Sequence, residues 1–526
     1  METTVADLQE AETNGLFIVQ VKIFRMNFIK ILSLTALFAA GSPAFAQYAN
    51  DALRFSQFQQ GASARFRAMG GAQTAVGGDI GSLSSNPAGL GLFTRSEFNL
   101  SADFSNRQVE SQYLGRFTGA QKDRLGIDQI GAVFYNPISR AKGSDLKSGW
   151  LSFNYGGSFN KTNNFNTTIE YSGVNPTSSI ADFFAGEAKR FTVEGSALAG
   201  MAFDSFLIED GPSGYFATTS VNNNQQNLVY RTGSQSEVNF GGGANYSNKL
   251  YLGASIAFSS LNYNADGNFI EAGNNRRFPG QNADFVGGKY DLSYRTNQIT
   301  KGSGFNAKVG MIYRATESVR IGLSFISPTW MQVDDNFSEV LDTRYTRANG
   351  SAIEPYLNSP EFFDLSYTLR TPYKLNGGLS AIINKQGLLT ADVEYVDYSS
   401  INFKSDERDT DQITKGEIRD NYKSALNLRV GAEYKIENVM IRGGYNRTGS
   451  PYQDLDFTTD ILSAGIGLRS NLIYVDLTYQ NAIFNSNNTP YTISSSYSNF
   501  RFTGAGETAK LKNTNSNVFL TIGTRF

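Results

Sequence analysis

The chain contains no cysteine and no histidine in 526 residues. Without thiols there is no disulfide, no thiolate metal site and no cysteine nucleophile. Without imidazole the commonest general base and the commonest metal ligand are both missing. Ser-His-Asp hydrolysis and His-ligated zinc are excluded, and no enzymatic activity, metal or cofactor is expected. Charge is scarce too: charged residues are 18% of the chain, and 46 Lys and Arg against 48 Asp and Glu leave a net charge of −2. A basic nucleic-acid surface is therefore not the organising feature. Tryptophan is rare, with 2 residues against 27 Tyr and 39 Phe. After Ala46 no apolar run reaches the roughly 18 residues a membrane helix needs. If the mature protein lies in a membrane, it crosses as a closed barrel. Negative mean hydropathy with plentiful aromatics suits such a barrel, because only alternate residues face lipid.

The first residues read as an export signal. Met26 to Ala46, MNFIKILSLTALFAAGSPAFA, has a basic start at Lys30, an apolar core from Ile31 to Ala40 and the small-x-small end Ala44-Phe45-Ala46. Cleavage there leaves Gln47 as the mature N-terminus. Residues 1–25, with acidic Glu10 and Glu12, make a poor leader, so Met26 is expected to be the true start and 1–25 a mis-assigned extension. Export without disulfides is compatible with a Gram-negative outer membrane, the expected location.

From Glu97 onward the chain alternates. Phe98, Leu100, Ala102 and Phe104 face one way, and Glu97, Asn99, Ser101 and Asp103 the other. The same period of two predicts strands near 129–135 and 149–159. Five hairpins follow: 238–246 with 252–258, 307–313 with 319–325, 375–381 with 389–395, 426–432 with 439–445, and 462–468 with 473–479. A last strand carries Val518, Leu520, Ile522 and Phe526. The total is fourteen, and several strands approach the roughly 9–11 residues of a tilted membrane strand. Long connections, at about 105–128, 162–235, 264–303, 334–362, 404–421, 447–459 and 483–514, alternate with short ones. Outer-membrane barrels have this asymmetry, with long loops outside and short periplasmic turns. Arg320, Asp392, Glu394, Arg429, Glu433 and Arg442 alternate with the apolar residues and are expected to line the lumen. In the longest connection, 162–235, Ser178-Ser179 precedes Ile180, Phe183, Phe184 and Ala188 at helical spacing, and Ala197, Leu198, Met201 and Ala202 repeat it. Their apolar faces either pack on each other or form a capture groove at the mouth.

Ahead of the strands lies Met69 to Phe93, MGGAQTAVGGDIGSLSSNPAGLGLF, rich in Gly, Ala and Ser and without period two. Its Ser84-Ser85-Asn86-Pro87-Ala88-Gly89, preceded by Gly70, Gly71 and Asp79, resembles the hatch motif of the FadL/OmpP1/TodX outer-membrane transport family. The resemblance covers essentially the mature chain. It implies an all-β fold, a fourteen-stranded antiparallel transmembrane β-barrel (97–526) with an N-terminal hatch (47–96) in the lumen. It also implies uptake of long-chain fatty acids or other hydrophobic small molecules, caught outside, passed beside the hatch and released sideways through the wall into outer-membrane lipid. Such transfer is favoured by roughly 0.8 kcal/mol per buried methylene. Asn86, Pro87, Ala88, Gly70 and Gly71 carry the hatch. Phe55 and Phe58 are candidate ligand or lumen contacts that equally could only pack the hatch. Arg320 is a further lumen candidate. Arg429 or Arg442 could meet a carboxylate head group, with structural pairing to Glu433 the favoured reading. Phe526 resembles the terminal signal read by the barrel-insertion machinery. The competing expectation is an adaptor: some FadL-like barrels resemble the shuttle subunit of the type IX secretion system, which binds exported proteins. The long second connection favours transport.

Overall fold

The computed structural model describes residues 43–59, 62–140, 145, 147–493 and 507–526, excluding the side chains of 43–47. Residues 1–25 and nearly all of the proposed signal segment lie outside the described residues.

Period-two patterning builds one large closed sheet, to which every strand belongs except β5 and β6, which pair with each other. In chain order the strands are β1 (Glu97–Tyr113), β2 (Arg116–Phe134), β3 (Trp150–Asn164), β4 (Thr167–Asn175), β5 (Ile208–Glu209), β6 (Phe216–Ala217), β7 (Asn223–Tyr246), β8 (Leu250–Asn274), β9 (Lys289–Arg314) and β10 (Val319–Ile326). They continue with β11 (Trp330–Thr346), β12 (Glu361–Arg370), β13 (Lys374–Ile383), β14 (Gly387–Asp397), β15 (Asn402–Ser405), β16 (Ser424–Ile436), β17 (Val439–Thr448), β18 (Thr459–Arg469), β19 (Ile473–Asn488) and β20 (Ala509–Arg525). Fourteen of these form the barrel wall, in the order β1-β2-β3-β7-β8-β9-β10-β13-β14-β16-β17-β18-β19-β20, all antiparallel. Pairing of β1 with β20, Glu97 opposite Arg525, closes the ring. These are the fourteen strands the alternation predicts. Their short turns use left-handed residues, Ser247-Asn248 and Asn384-Lys385, which match the twist of a tight hairpin.

The outward apolar residues form a band. On β9 it runs from Phe305 to Tyr313, about the height of a membrane strand. The two tryptophans mark its edges. Trp150 lies against Tyr246 beside a short turn, and Trp330 stacks on Phe305 at the far side. This is the interfacial position such rings favour. Among the described residues no helix is long and apolar enough to cross a membrane.

Above the band the structure departs from expectation. Most of the long connections are strand rather than loop. β1 and β2 continue to a tight turn at Leu114-Gly115, so 105–128 is a hairpin. β8 and β9 likewise run through most of 264–303. β11 pairs with the upper part of β9, and β12 with β11 and β15, which adds a second tier over the barrel. The stretch 404–421 holds the end of β15 and a helix, Arg408–Asn421. The predicted helices of the second connection are present, as Ile180–Phe191 and Ala197–Asp204. Ser179 caps the first in a capping box with Asp182. Their apolar faces are buried on each other and on Phe269, Phe285, Leu292, Leu341 and Tyr345 of the upper tier. The packing alternative is the one observed: these faces do not form an open groove.

Candidate functional site

The lumen is occupied from below by the hatch. It makes a circuit of the inner wall. The short helix Ala64–Ala68 lies against β17–β20, and the two 3-10 turns Ile80–Ser84 and Pro87–Leu92 lie against β2, β3 and β7–β9. Asn86 is the joint. Its side-chain oxygen accepts from Ala88 N (3.2 Å), and its amide donates to Thr74 O (2.7 Å) and to Met311 O of the wall (3.2 Å). Pro87 follows as the first residue of the turn, where a missing N–H costs nothing. Ala88 packs beside Tyr251 and Ile312. The wall meets this motif with glycines. A Cβ on Gly310 would fall 1.8 Å from Asn86 Oδ1, and one on Gly253 2.3 Å from the Pro87 carbonyl carbon. Gly70 and Gly71 have φ of +66° and +80°, and a side chain at Gly70 would strike Tyr445 of β17.

Ion pairs fix the other half of the hatch. Glu433 accepts from Arg65 of the hatch (3.0 Å) and from Arg442 (2.6 Å), and Arg442 also reaches Asp476 at 2.6 Å. Arg429 corrects the expected pairing: its partner is Glu394 of β14, at 2.8 Å, not Glu433. The antiparallel register explains this, because Arg429 stands opposite Asp392 and next to Glu394, while Glu433 stands opposite Arg442. Arg320 donates to Val76 O of the hatch at 3.0 Å. Arg320, Arg429 and Arg442 are thus committed to structure.

Higher in the lumen the lining changes character. An apolar chamber is formed by Phe165, Leu261, Tyr263, Met331, Val333 and Tyr367, with Phe403 and Tyr422 at the rim. The N-terminal helix Pro43–Ser56 fills it with Ala49, Ala52, Leu53 and Phe55. Phe55 is fully buried, edge-on to Phe165 (5.8 Å) and Tyr263 (5.7 Å). Phe58 is not in this chamber; Lys374 Nζ lies 3.4 Å from its ring centroid. Beside the chamber are two inward arginines that sequence reading missed, Arg107 of β1 and Arg231 of β7. Among the described residues neither forms an ion pair, and Arg231 Nε is buried without a partner. Burial, and then the charge of Arg231, lower Arg107 to about 10; burial also pulls Arg231 below the usual arginine range, against the opposing influence of Tyr263. Asp51 and Arg54 of the N-terminal helix also act on Arg231, with opposite signs; two like charges near each other that form no ion pair with a carboxylate among the described residues make a place for an anion.

The wall has one weak seam. β2 pairs with β3 over six residue pairs only, Gln129–Phe134 with Asn160–Tyr155. Above Gln129, among the described residues, no strand pairs with β2 on that side, although β1 pairs with it to its tip. A bulge at Asp128 on β2 and another at Thr162 on β3 flank the point where the ladder ends. Phe117 and Leu125 are each 76% exposed along the unpaired stretch.

The mouth is covered by the two loop helices, the first of them held at its N-terminus by one carboxylate. Glu271 of β8 accepts from Ser179 Oγ (2.5 Å), Ile180 N (3.0 Å), Gln225 Nε2 (2.7 Å) and Tyr290 OH (2.8 Å). Burial pushes it up to about 7, although the four donors favour its charged form.

A membrane barrel plugged by its own N-terminal segment, with a greasy upper chamber and a seam in its wall, defines an outer-membrane channel for hydrophobic molecules. The sequence profile described as outer membrane protein transport protein (OMPP1/FadL/TodX) matches residues 48–466, and the chain belongs to that family. No curated protein sequence matches it. Among solved structures, a Pseudomonas aeruginosa FadL homologue superposes with a TM-score of 0.50 at 11% identity, covering 90% of this chain and 99% of that one. A deltaS2 mutant of the TodX monoaromatic hydrocarbon channel gives a TM-score of 0.50 at 14% identity, covering 89% and 99%. The Pseudomonas putida toluene transporter TodX gives 0.48 at 14%, over the same shares. The two likenesses at 0.50 show a common fold. The protein is an outer-membrane transporter of hydrophobic compounds.

Proposed function

We propose that the transported molecules are long-chain monocarboxylates of the fatty-acid kind, held in the upper chamber and released sideways through the β2–β3 seam. The observation that carries this reading is the pairing of an apolar chamber with two guanidiniums that form no ion pair among the described residues, Asp51 of the N-terminal helix being the carboxylate that acts on Arg231 at a distance. A lumen is ordinarily polar, so a cluster of Phe165, Leu261, Tyr263, Met331 and Val333 facing inward needs an apolar occupant. The N-terminal helix supplies one when no ligand is bound, and an acyl chain replaces Leu53 and Phe55 on the same surface. Arg107 and Arg231 then take the head group. A neutral arene would use the chamber and leave both arginines uncompensated. A seam at the height of the lipid band lets the tail partition into hydrocarbon without crossing the saccharide layer.

The test is binding of a labelled long-chain carboxylate and its matching alcohol to purified protein. The carboxylate should bind more tightly, and Arg107→Met with Arg231→Met should weaken it about tenfold or more while leaving the alcohol unchanged. Equal affinity of the two probes for the natural chain would refute the head-group assignment. No saturable binding of either would refute the chamber.

A further inference from the structure

One sector of the outer rim gathers cations just above the apolar band. Trp330, at the far edge of the band, stands opposite Arg370 of β12, and both are exposed on the outward face. On the neighbouring β15, Asn402 stands opposite Arg370 and Lys404 opposite Thr368. Arg370 and Lys404 are therefore diagonal neighbours on one face, roughly 7–8 Å apart, a gap that long side chains span. Further round the rim, Lys423 directly precedes β16, whose outward Leu426 stands opposite Tyr395 of β14. Among the described residues none of Arg370, Lys404 and Lys423 forms an ion pair; Lys423 Nζ donates to Gln453 O at 3.4 Å. Two carboxylates of the same rim are engaged: Asp397 accepts from Ser399 N (3.1 Å) and Ser399 Oγ (2.7 Å), and Asp420 pairs with Arg419 at 2.9 Å. On β1, β8 and β19 the first outward residue beyond the band is neutral, Asn106 after Phe104, Ser260 after Phe258 and Asn481 after Tyr479. An open cavity of about 480 Å³ completes the sector, lined in part by Tyr395, Ser399, Lys423, Ser424 and Gln453. Sites for small molecules span about 300–1,000 Å³.

We propose that this sector binds a phosphorylated glycolipid of the outer leaflet, Arg370 and Lys404 clasping a phosphomonoester while the sugar lies in the cavity beside Tyr395 and Lys423. Interfacial aromatics fix the level at which hydrocarbon gives way to head groups. Arg370 is level with Trp330, and Lys404 is one outward step above it, so both stand where lipid phosphates lie. Their long side chains keep apolar stems along the wall and carry the charge to that layer. A phosphomonoester bears about −1.5 to −2 charges at neutral pH, which two cations match, and a guanidinium can meet it with two parallel hydrogen bonds. The cavity combines a tyrosine ring, two hydroxyls and an amide, a lining that suits a sugar and not an acyl chain. The strands beneath, β13, β14 and β16, stand across the barrel from the β2–β3 seam in the wall order. The protein is thus fastened to the leaflet on one side and leaves the other side free of bound glycolipid.

The chain has 2 tryptophans, and they serve as local reporters. In Trp150→Phe the remaining indole is Trp330, beside Arg370; in Trp330→Phe it is Trp150, at the opposite edge of the band. Each full-length variant is reconstituted in phosphatidylcholine vesicles that contain a small fraction of one lipid with brominated acyl chains, which quench a nearby indole. The brominated lipids are a glucosamine-disaccharide lipid with one phosphomonoester, the same lipid without phosphate, and phosphatidic acid, a phosphomonoester without sugar. At Trp330 the phosphorylated glycolipid should associate about fivefold or more tightly than its phosphate-free form and about twofold more tightly than phosphatidic acid. Trp150 should show no preference. Arg370→Gln with Lys404→Gln should bring the first ratio at Trp330 close to one. Equal quenching of Trp330 by the two glycolipids, or the same preference at Trp150, overturns the site. Equal quenching by the phosphorylated glycolipid and phosphatidic acid overturns the placing of the sugar in the cavity. Should the double variant fail to insert, the comparison of Trp330 with Trp150 decides alone.

Discussion

Replacing Asn86 by alanine tests whether the hatch is docked as a unit. The side chain serves one cap and two carbonyls, Thr74 O within the hatch and Met311 O on the wall. Loss of the cap costs about 1 kcal/mol. Two buried carbonyls lose a donor at about 1–3 kcal/mol each. Water can enter the space left by the amide and recover part of this, so a net loss of roughly 3 kcal/mol is expected. That is a change of about a hundredfold in the equilibrium between docked and released hatch. The barrel should not share it, because its ladder closes on itself through β1 and β20 without the hatch. Hydrogen exchange on the folded protein separates the two. Amides of Gly78 to Phe93 should lose about a hundredfold of protection in Asn86→Ala. Those of β8 and β9 outside the contact should keep theirs, and the heat-dependent gel shift of the barrel should stay in place. Hatch protection unchanged within threefold would mean that the motif is not what holds the plug. Simultaneous loss in the barrel would mean that plug and wall fold as one body.

Further outcomes follow from the same contacts. Glu433→Gln leaves Arg65 and Arg442 short of a buried counter-charge, a change that costs about 3–5 kcal/mol when one partner of such a pair is removed; limited proteolysis should cut the Ala64–Ala68 region of this variant and spare the natural chain. Gly253→Ala places a methyl against the Pro87 backbone, which cannot swing aside as a side chain would; it should release the hatch as Asn86→Ala does, and an ion current in planar bilayers should appear where the natural chain conducts little. The lid should respond to pH. Glu271 lies near 7 in the folded protein against an ordinary 4.5, so docking of the helices is favoured by its neutral form. That contribution, on the order of 3 kcal/mol, is complete below about pH 4.5 and fades as pH rises through about 7. Exchange protection of Ile180–Phe191 should fall between about pH 4.5 and 7 and level off above, and Glu271→Gln should remove the dependence.

The membrane-level wall was legible because lipid imposes the pattern. Phe240, Ile256, Leu379, Leu428 and Ile466 meet hydrocarbon while their neighbours face a polar lumen, so period two survives in every strand. Above the lipid that contrast disappears. In β1 beyond Phe104, outward residues are Asn106, Gln108, Glu110 and Gln112, and inward ones include Ser105, Arg107 and Ser111. Only Val109 and Tyr113 break the polar run on the inward face, too few to show period two, and strand reads as loop. The lid helices were legible because they carry their own cap and their own apolar stripe. Partner choice was not: that Arg429 takes Glu394 depends on register between β14 and β16, which no single strand encodes. Arg107 and Arg231 lie in Asn- and Ser-rich stretches and announce themselves only by the absence, among the described residues, of an ion pair to either. The inward glycines were available as a signal. Glycine within strands often marks close backbone approach, and Gly253, Gly310, Gly322, Gly431 and Gly444 all meet the hatch.

The height of β7, β8 and β9 has its own consequence. Strands of 24, 25 and 26 residues tilted at about 40° rise roughly 60 Å, against an apolar band of about 25 Å. More than half of this side of the molecule therefore stands outside the bilayer, as a chimney through the sugars that coat the cell. Its summit is the part that meets the surrounding medium first, and so the part most open to other cells' toxins, phages and antibodies, whose grip would fall on a surface far from the lipid exit.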